Sequence, residues 1–163
     1  MTGVFRVLVT GSQGWKADTR TPDGFTLAQV LDGFAHSARQ VGFAGVTVVH
    51  GAGSRGADAV ADRWAVDRAA VGWPVTVERH PADWRRYGRR AGRVRNQRMV
   101  DAGADVCVAF IVDGSRDASH CADVAELAGV DVQRLWVSSG RVMPDFDETD
   151  RDITARFRVG VSA

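Results

Sequence analysis

The residues best suited to chemistry in this chain fall in four short segments, each following an apolar run. The first is Thr10-Gly11-Ser12. Gly11 permits a tight turn and a close approach to a ligand, and Ser12 offers a hydroxyl to phosphate oxygens. Glycine after a strand is common in α/β folds, so this segment alone says little. The second runs from His50 to Asp58 and contains Gly51, Ala52, Gly53, Ser54, Arg55 and Gly56 ahead of a helix-forming run. A helix start presents free backbone N–H groups and a positive dipole end, so the segment suits an anion. It equally suits a glycine-rich turn in which Asp58 supports the helix N-terminus. It is neither a Walker loop, since no Gly-Lys-Ser/Thr follows, nor a GxGxxG fingerprint.

The third segment holds Trp84, Tyr87 and the arginines Arg85, Arg86, Arg89, Arg90, Arg93 and Arg95, followed by Asn96. Arginine forks grip phosphate bidentately and aromatic faces stack on bases. A solvated basic surface accounts for most of these arginines. Arg95 and Asn96 are read differently, as opening a helix that points them at the carboxyl edge of a sheet. In the fourth segment, Asp113 to His120, Gly114 and Ser115 make a turn and Ser119 is expected to cap a helix. His120 at that helix start would stay neutral beside the positive dipole end. It would then hydrogen-bond a ribose or phosphate, or simply cap the helix. The candidate ligand-binding set is Gly11, Ser12, Gly51, Ala52, Gly53, Gly56, Asp58, Arg95, Asn96, Gly114, Ser115, Ser119 and His120. No metal site is expected.

These segments need a scaffold, and the hydrophobic pattern supplies one. Val4–Val9, Val46–Val49, Pro74–Glu78, Val106–Ile111 and Val132–Val137 read as strands. Phe25–Gln40 carries Leu27, Val30, Leu31, Phe34, Ala35 and Ala38 at helical spacing. Ala57–Ala70, Val94–Ala102 and Ser119–Ala128 read as further helices, with Gly103 and Gly129 after the last two. Apolar strands alternating with helices imply a Rossmann-like three-layer sandwich with a mostly parallel sheet. Right-handed crossovers would gather the strand-to-helix loops along one edge, where such sheets bind ligands. Residues 1–137 are expected to form the α/β domain, and 138–163 a C-terminal extension, either an edge strand or a tail.

With 163 residues the chain is long enough for one domain with a sizeable core. A formal net charge of +1 gives no broad basic field, so a nucleic-acid partner is not expected. The apolar runs are strand-sized, so no membrane span is expected. No signal-peptide pattern opens the chain, and Cys107 and Cys121 do not form a disulfide framework, which implies a cytoplasmic setting. Cys107 reads as a core residue. Cys121 is placed at a helix opening, where a thiolate is favoured, although a small half-buried side chain is the simpler reading.

Taken together, the four segments resemble the SLOG superfamily, which contains the DprA and LOG proteins, and specifically its YspA-related branch. The matching stretches are Val7 to Ser12, His50-Gly51-Ala52, Gly56-Ala57-Asp58, Trp64-Ala65, Pro81 to Trp84 and Tyr87-Gly88. Ala91-Gly92, Arg95-Asn96 with Met99, Ala104-Asp105, Asp113 to Arg116 and Ala118-Ser119-His120 complete the series, in order over roughly residues 4 to 137. The resemblance implies a homodimeric Rossmann-like protein of bacteria or their phages. Its pocket would hold a nucleotide or an NAD- or ADP-ribose-like molecule, with no further cofactor expected. LOG enzymes cleave the base from a nucleoside monophosphate, and their catalytic arginine lies on the helix carrying Arg95. Their catalytic glutamate falls near Cys121 or Ala122 here, so the acid is missing; Asp117 and Asp123 are the nearest substitutes, neither at the family spacing. The resemblance therefore points to ligand binding or sensing first, to N-glycosidic hydrolysis second and to DprA-like DNA binding third.

Overall fold

A computed structural model of the protein describes residues 3–138. Five strands, β1 (Val4–Gly11), β2 (Gly45–His50), β3 (Val75–Arg79), β4 (Val106–Val112) and β5 (Asp131–Val137), form one sheet. The strand order is β3-β2-β1-β4-β5 and every pairing is parallel. The helices are α1 (Leu27–Gln40), α2 (Ala57–Ala70), a single-turn α3 (Trp84–Tyr87), α4 (Ala91–Asp101) and α5 (Arg116–Leu127). The strand order reverses direction between β1 and β4, the topological switch point where open α/β sheets leave a crevice.

The core explains the layers. On one face Phe5, Val7 and Val9 of β1 pack with Leu31 and Phe34 of α1 and Ala61 and Trp64 of α2, all buried. On the other face Leu8 and Cys107 pack with Met99 and Val100 of α4 and with Cys121 and Ala125 of α5. Both faces of β1 and β4 are thus covered, which is why these strands read as continuous apolar runs. No helix among the described residues is long and apolar enough to cross a membrane.

Several boundaries differ from the sequence reading. Strand β1 continues through Gly11 because its pairing with β4 extends to Gly11 opposite Phe110. Helix α1 starts at Leu27 rather than Phe25. Thr26 caps it, accepting from the Gln29 N–H while the Gln29 side chain accepts from the Thr26 N–H, a reciprocal capping box. Helix α4 begins three residues before Val94. A 3-10 turn at Gly88–Arg90 already winds the chain and leads straight into Ala91. Arg95 therefore lies within the helix, not at its start. Helix α5 begins at Arg116, with Ser115 and not Ser119 as N-cap. The Ser119 hydroxyl instead donates back to the Ser115 carbonyl at 2.8 Å. Cys121 is accordingly mid-helix and fully buried, and burial pushes its thiol up to about 12. A thiolate is disfavoured there, and the side chain is core. Of the C-terminal extension, residues 139–163 lie outside the described residues.

Candidate functional site

A cleft of about 670 Å³ opens at the carboxyl ends of the strands. Its floor and walls come from four places: Gly11 at the end of β1 with Gln13 beyond it, the Gly51–Asp58 segment after β2, the Pro81–Arg95 region, and the first turns of α5. Of the residues singled out from the sequence, it brings together Gly11, Gly51, Ala52, Gly53, Asp58, Arg95 and His120. Ser12, Gly56, Asn96, Gly114, Ser115 and Ser119 are outside its lining. Arg55, Trp84, Arg89, Arg93 and Arg116, absent from the set chosen on sequence, also line the cleft, as does Asp117, one of the two substitutes named for the missing acid. The third segment did contain Trp84, Arg89 and Arg93, but period and spacing could not separate them from their solvated neighbours.

The residues left outside the lining hold the loops in place. The Ser12 hydroxyl accepts from the Val112 N–H at 2.8 Å, stapling the ends of β1 and β4 together. Gly56 has φ +75, and a Cβ there would collide with the Ser12 carbonyl and the Gln13 backbone. Only glycine allows the β2 loop and the β1 loop to touch at that point. Gly114 with φ +70, after Asp113 with φ 50, turns the chain into α5.

The β2 loop carries stored strain. Ala52 sits at φ 58, a left-handed conformation that costs an alanine roughly 1–2 kcal/mol. Its N–H donates to His50 Nδ1 at 3.0 Å, and His50 Nε2 lies 2.9 Å from Asp62 Oδ1. An imidazole that accepts at Nδ1 in its neutral form must carry its proton on Nε2, so the ring donates to Asp62. Asp62 also accepts from Arg79 Nε at 2.6 Å, and this bond, reinforced by His50, holds its carboxyl below the usual range. The next N–H, of Gly53, donates to Asp58 Oδ2 at 3.0 Å. The loop's own side chains thus take the N–H groups of Ala52 and Gly53. Asp58 is the more exceptional carboxyl. Burial raises its pKa, and the Gly53 N–H, His50 and Arg95 only partly oppose that rise.

Across the cleft, Arg95 is fully committed. Its Nη1 donates to the Gly51 carbonyl at 3.0 Å, its Nε to Asn96 Oδ1 at 2.9 Å and its Nη2 to Asp117 Oδ2 at 2.8 Å. Asn96, 0% exposed, turns its amide toward Asp117 Oδ1 and His120 Nδ1, each at 3.2 Å. This network ties the glycine loop to α4 and α5. It also separates the candidate acids. Asp117 faces the cleft, whereas Asp123 pairs with Arg134 at 2.9 Å and does not line it. Cys121 and Ala122, where LOG enzymes would place a glutamate, are both fully buried.

The profile of the YAcAr family, described as YspA, cpYpsA-related SLOG family, matches residues 5–87, from β1 through α3. The chain belongs to this family. The SLOG domain is also 45% identical over 127 residues to the Gene 61 protein of Mycobacterium phage D29, an alignment covering 78% of this chain and 93% of the relative. No solved structure matches the SLOG domain. Membership supports a nucleotide-related ligand-binding domain, and the phage relative fits an origin in bacteria or their phages.

Proposed function

We propose that this SLOG domain binds a nucleotide or an NAD- or ADP-ribose-derived ligand in the cleft at its switch point and serves as a binding or sensing module. One observation carries the reading. The strained Ala52 loop, held by His50, and the braced Arg95 are both built around a single open cleft. Strain of this kind persists where a site requires a particular backbone shape. The cleft volume also falls within the range of small-molecule pockets, roughly 300–1,000 Å³.

A thermal-shift panel of AMP, NAD, ADP-ribose and cyclic ADP-ribose, followed by chromatography of the recovered ligand, tests it. A ligand that stabilises the protein and is recovered intact supports the reading. A panel in which nothing stabilises the protein refutes it. A second reading, N-glycosidic hydrolysis, is favoured by Asp58, a carboxyl of raised pKa in the same cleft as Asp117. Release of free base or ribose 5-phosphate would select it. Asp117 is tied to Arg95 at 2.8 Å, and Cys121 and Ala122 stand where a LOG enzyme would carry its glutamate, which is why binding is placed first.

A further inference from the structure

Charge is distributed unevenly over this molecule. Away from the cleft, Arg6, Arg63, Arg68, Arg79 and Arg134 each pair with a carboxylate, while Arg20, Arg39, Arg85, Arg86, Arg90 and Arg98 have no such partner among the described residues. Inside it Arg95 pairs with Asp117, whereas Arg55, Arg89, Arg93 and Arg116 have no carboxylate partner among the described residues. These four come from the β2 loop, the 3-10 turn, the first turn of α4 and the first residue of α5. Separate segments thus converge on one cavity with unneutralised forks. Five arginines face two carboxylates there, in a chain whose formal net charge is only +1. A cleft walled by one sign of charge focuses its field on whatever enters.

The number of forks bears on the ligand. A terminal phosphate group offers about three acceptor oxygens. Two bidentate guanidinium groups donate four of the roughly six hydrogen bonds that those oxygens accept. Four unpaired forks, plus the braced Arg95, exceed what one phosphate takes up. On the same wall Trp84 is 63% exposed, and its ring lies 4.0 Å from the position of a Cβ on Gly92. An indole left bare beside cationic groups is a stacking surface for a planar heterocycle.

We infer that the ligand of this cleft carries at least two phosphate groups, gripped by Arg55, Arg89, Arg93 and Arg116, with its base stacked on Trp84. The inference rests on the nucleotide-binding reading and narrows it to a nucleoside diphosphate or a diphosphate-bridged dinucleotide. Arg95 is then a positioning residue that braces Gly51 and does not provide the main grip on phosphate.

Calorimetry with AMP, ADP, ADP-ribose and inorganic pyrophosphate at one ionic strength decides it. ADP and ADP-ribose should bind at least about tenfold tighter than AMP, the effect expected of added charge-assisted hydrogen bonds. Arg93→Ala and Arg116→Ala should each weaken ADP about tenfold and AMP less. Trp84→Ala should weaken ADP while leaving pyrophosphate unchanged. Arg85→Ala and Arg86→Ala, outside the lining, should change ADP affinity by less than about threefold. Equal affinity for AMP and ADP overturns this inference and leaves the broader reading standing. Failure of every nucleotide to bind overturns both. Equal losses at Arg85, Arg86, Arg93 and Arg116, with a salt-sensitive mobility shift of DNA, would replace the pocket with a nucleic-acid surface.

Discussion

At the amino ends of β2 and β3 a groove of about 460 Å³ is walled by Ala35, Ala38, Phe43, Trp73 and Pro74, with His36 and Arg39 at its edge. At the carboxyl ends the cleft of about 670 Å³ is walled by arginines, two carboxylates and a glycine loop. Both lie at the ends of the same parallel strands, yet their backbones differ. Gly72 in the amino-end groove has φ +87 with nothing within 4 Å of a Cβ placed on it. Gly56, by contrast, is pressed against the Ser12 carbonyl and the Gln13 backbone. One end closes the fold with ordinary turns. The other packs two loops in contact and holds an alanine in a left-handed conformation. Crowding occurs at both ends, since a Cβ on Gly45 in the amino-end groove would meet the Pro74 carbonyl. Among the described residues, however, left-handed positions other than glycine, Ala52 and Asp113, are found only at the carboxyl end. Strain of that kind is what a binding site can require and a simple connection does not.

Substitution at the two glycines should break the comparison first if it is wrong. Gly56→Ala adds a steric collision to an unfavourable φ and should cost about 3 kcal/mol in denaturant unfolding. Gly72→Ala carries only the conformational penalty, about 1 kcal/mol. Equal losses would show that the contact of Gly56 with the β1 loop adds nothing to its conformational penalty. Arg95→Ala should follow, at about 2 kcal/mol, because it takes the donor from the buried Asn96 Oδ1 and from the Gly51 carbonyl. Loss of nucleotide affinity with unchanged stability would instead make Arg95 a direct ligand contact.

Asp58→Asn should act in the opposite direction. The folded pKa of Asp58 is raised by burial, so its favourable contribution is complete below the unfolded value and is lost as pH rises through the folded one. Once ionised, the parent carboxyl is a buried charge that asparagine avoids, while the amide oxygen still accepts from Gly53. The variant should melt higher at pH 7, with an advantage that shrinks on acidification, and should bind nucleotide differently. A lower melting temperature at neutral pH would mean that the carboxylate is structural. The smallest effect is expected at the other end. Trp73→Ala removes a cation–π contact with Arg68, 5.0 Å from the ring centroid, and should cost about 0.5–1 kcal/mol. Nucleotide affinity should not change, and a measurable change would link the two ends.

Much of this molecule is legible as a string of residues. Strands β1 and β4, apolar on both faces, and the 3.6-residue stripe of α1 announce a covered parallel sheet, and the loops worth reading follow from that rhythm. The glycines near positions 51 and 56 mark the sharp loop after β2 for the same local reason, backbone freedom. Helix starts were less legible. Val94 and Ser119 look like openings, yet a preceding 3-10 turn and a left-handed Asp113-Gly114 turn begin α4 and α5 earlier.

What only the tertiary structure decided is the partnering of charges. Arg95 and Arg93 are alike in sequence, on one helix two residues apart. The first is 13% exposed in its side chain and consumed by Gly51, Asn96 and Asp117, and the second faces the cleft unpaired. Asp117 and Asp123 are likewise indistinguishable in type, and only the packing of α5 on the sheet turns one to the cleft and the other to Arg134. Periodicity reports which face of an element is apolar, because that is a property of neighbouring residues. The partner of a charge is set by residues 22 or 44 positions away, as with Asp117 and Gly51 for Arg95. Their distance in space is created only when the sheet closes.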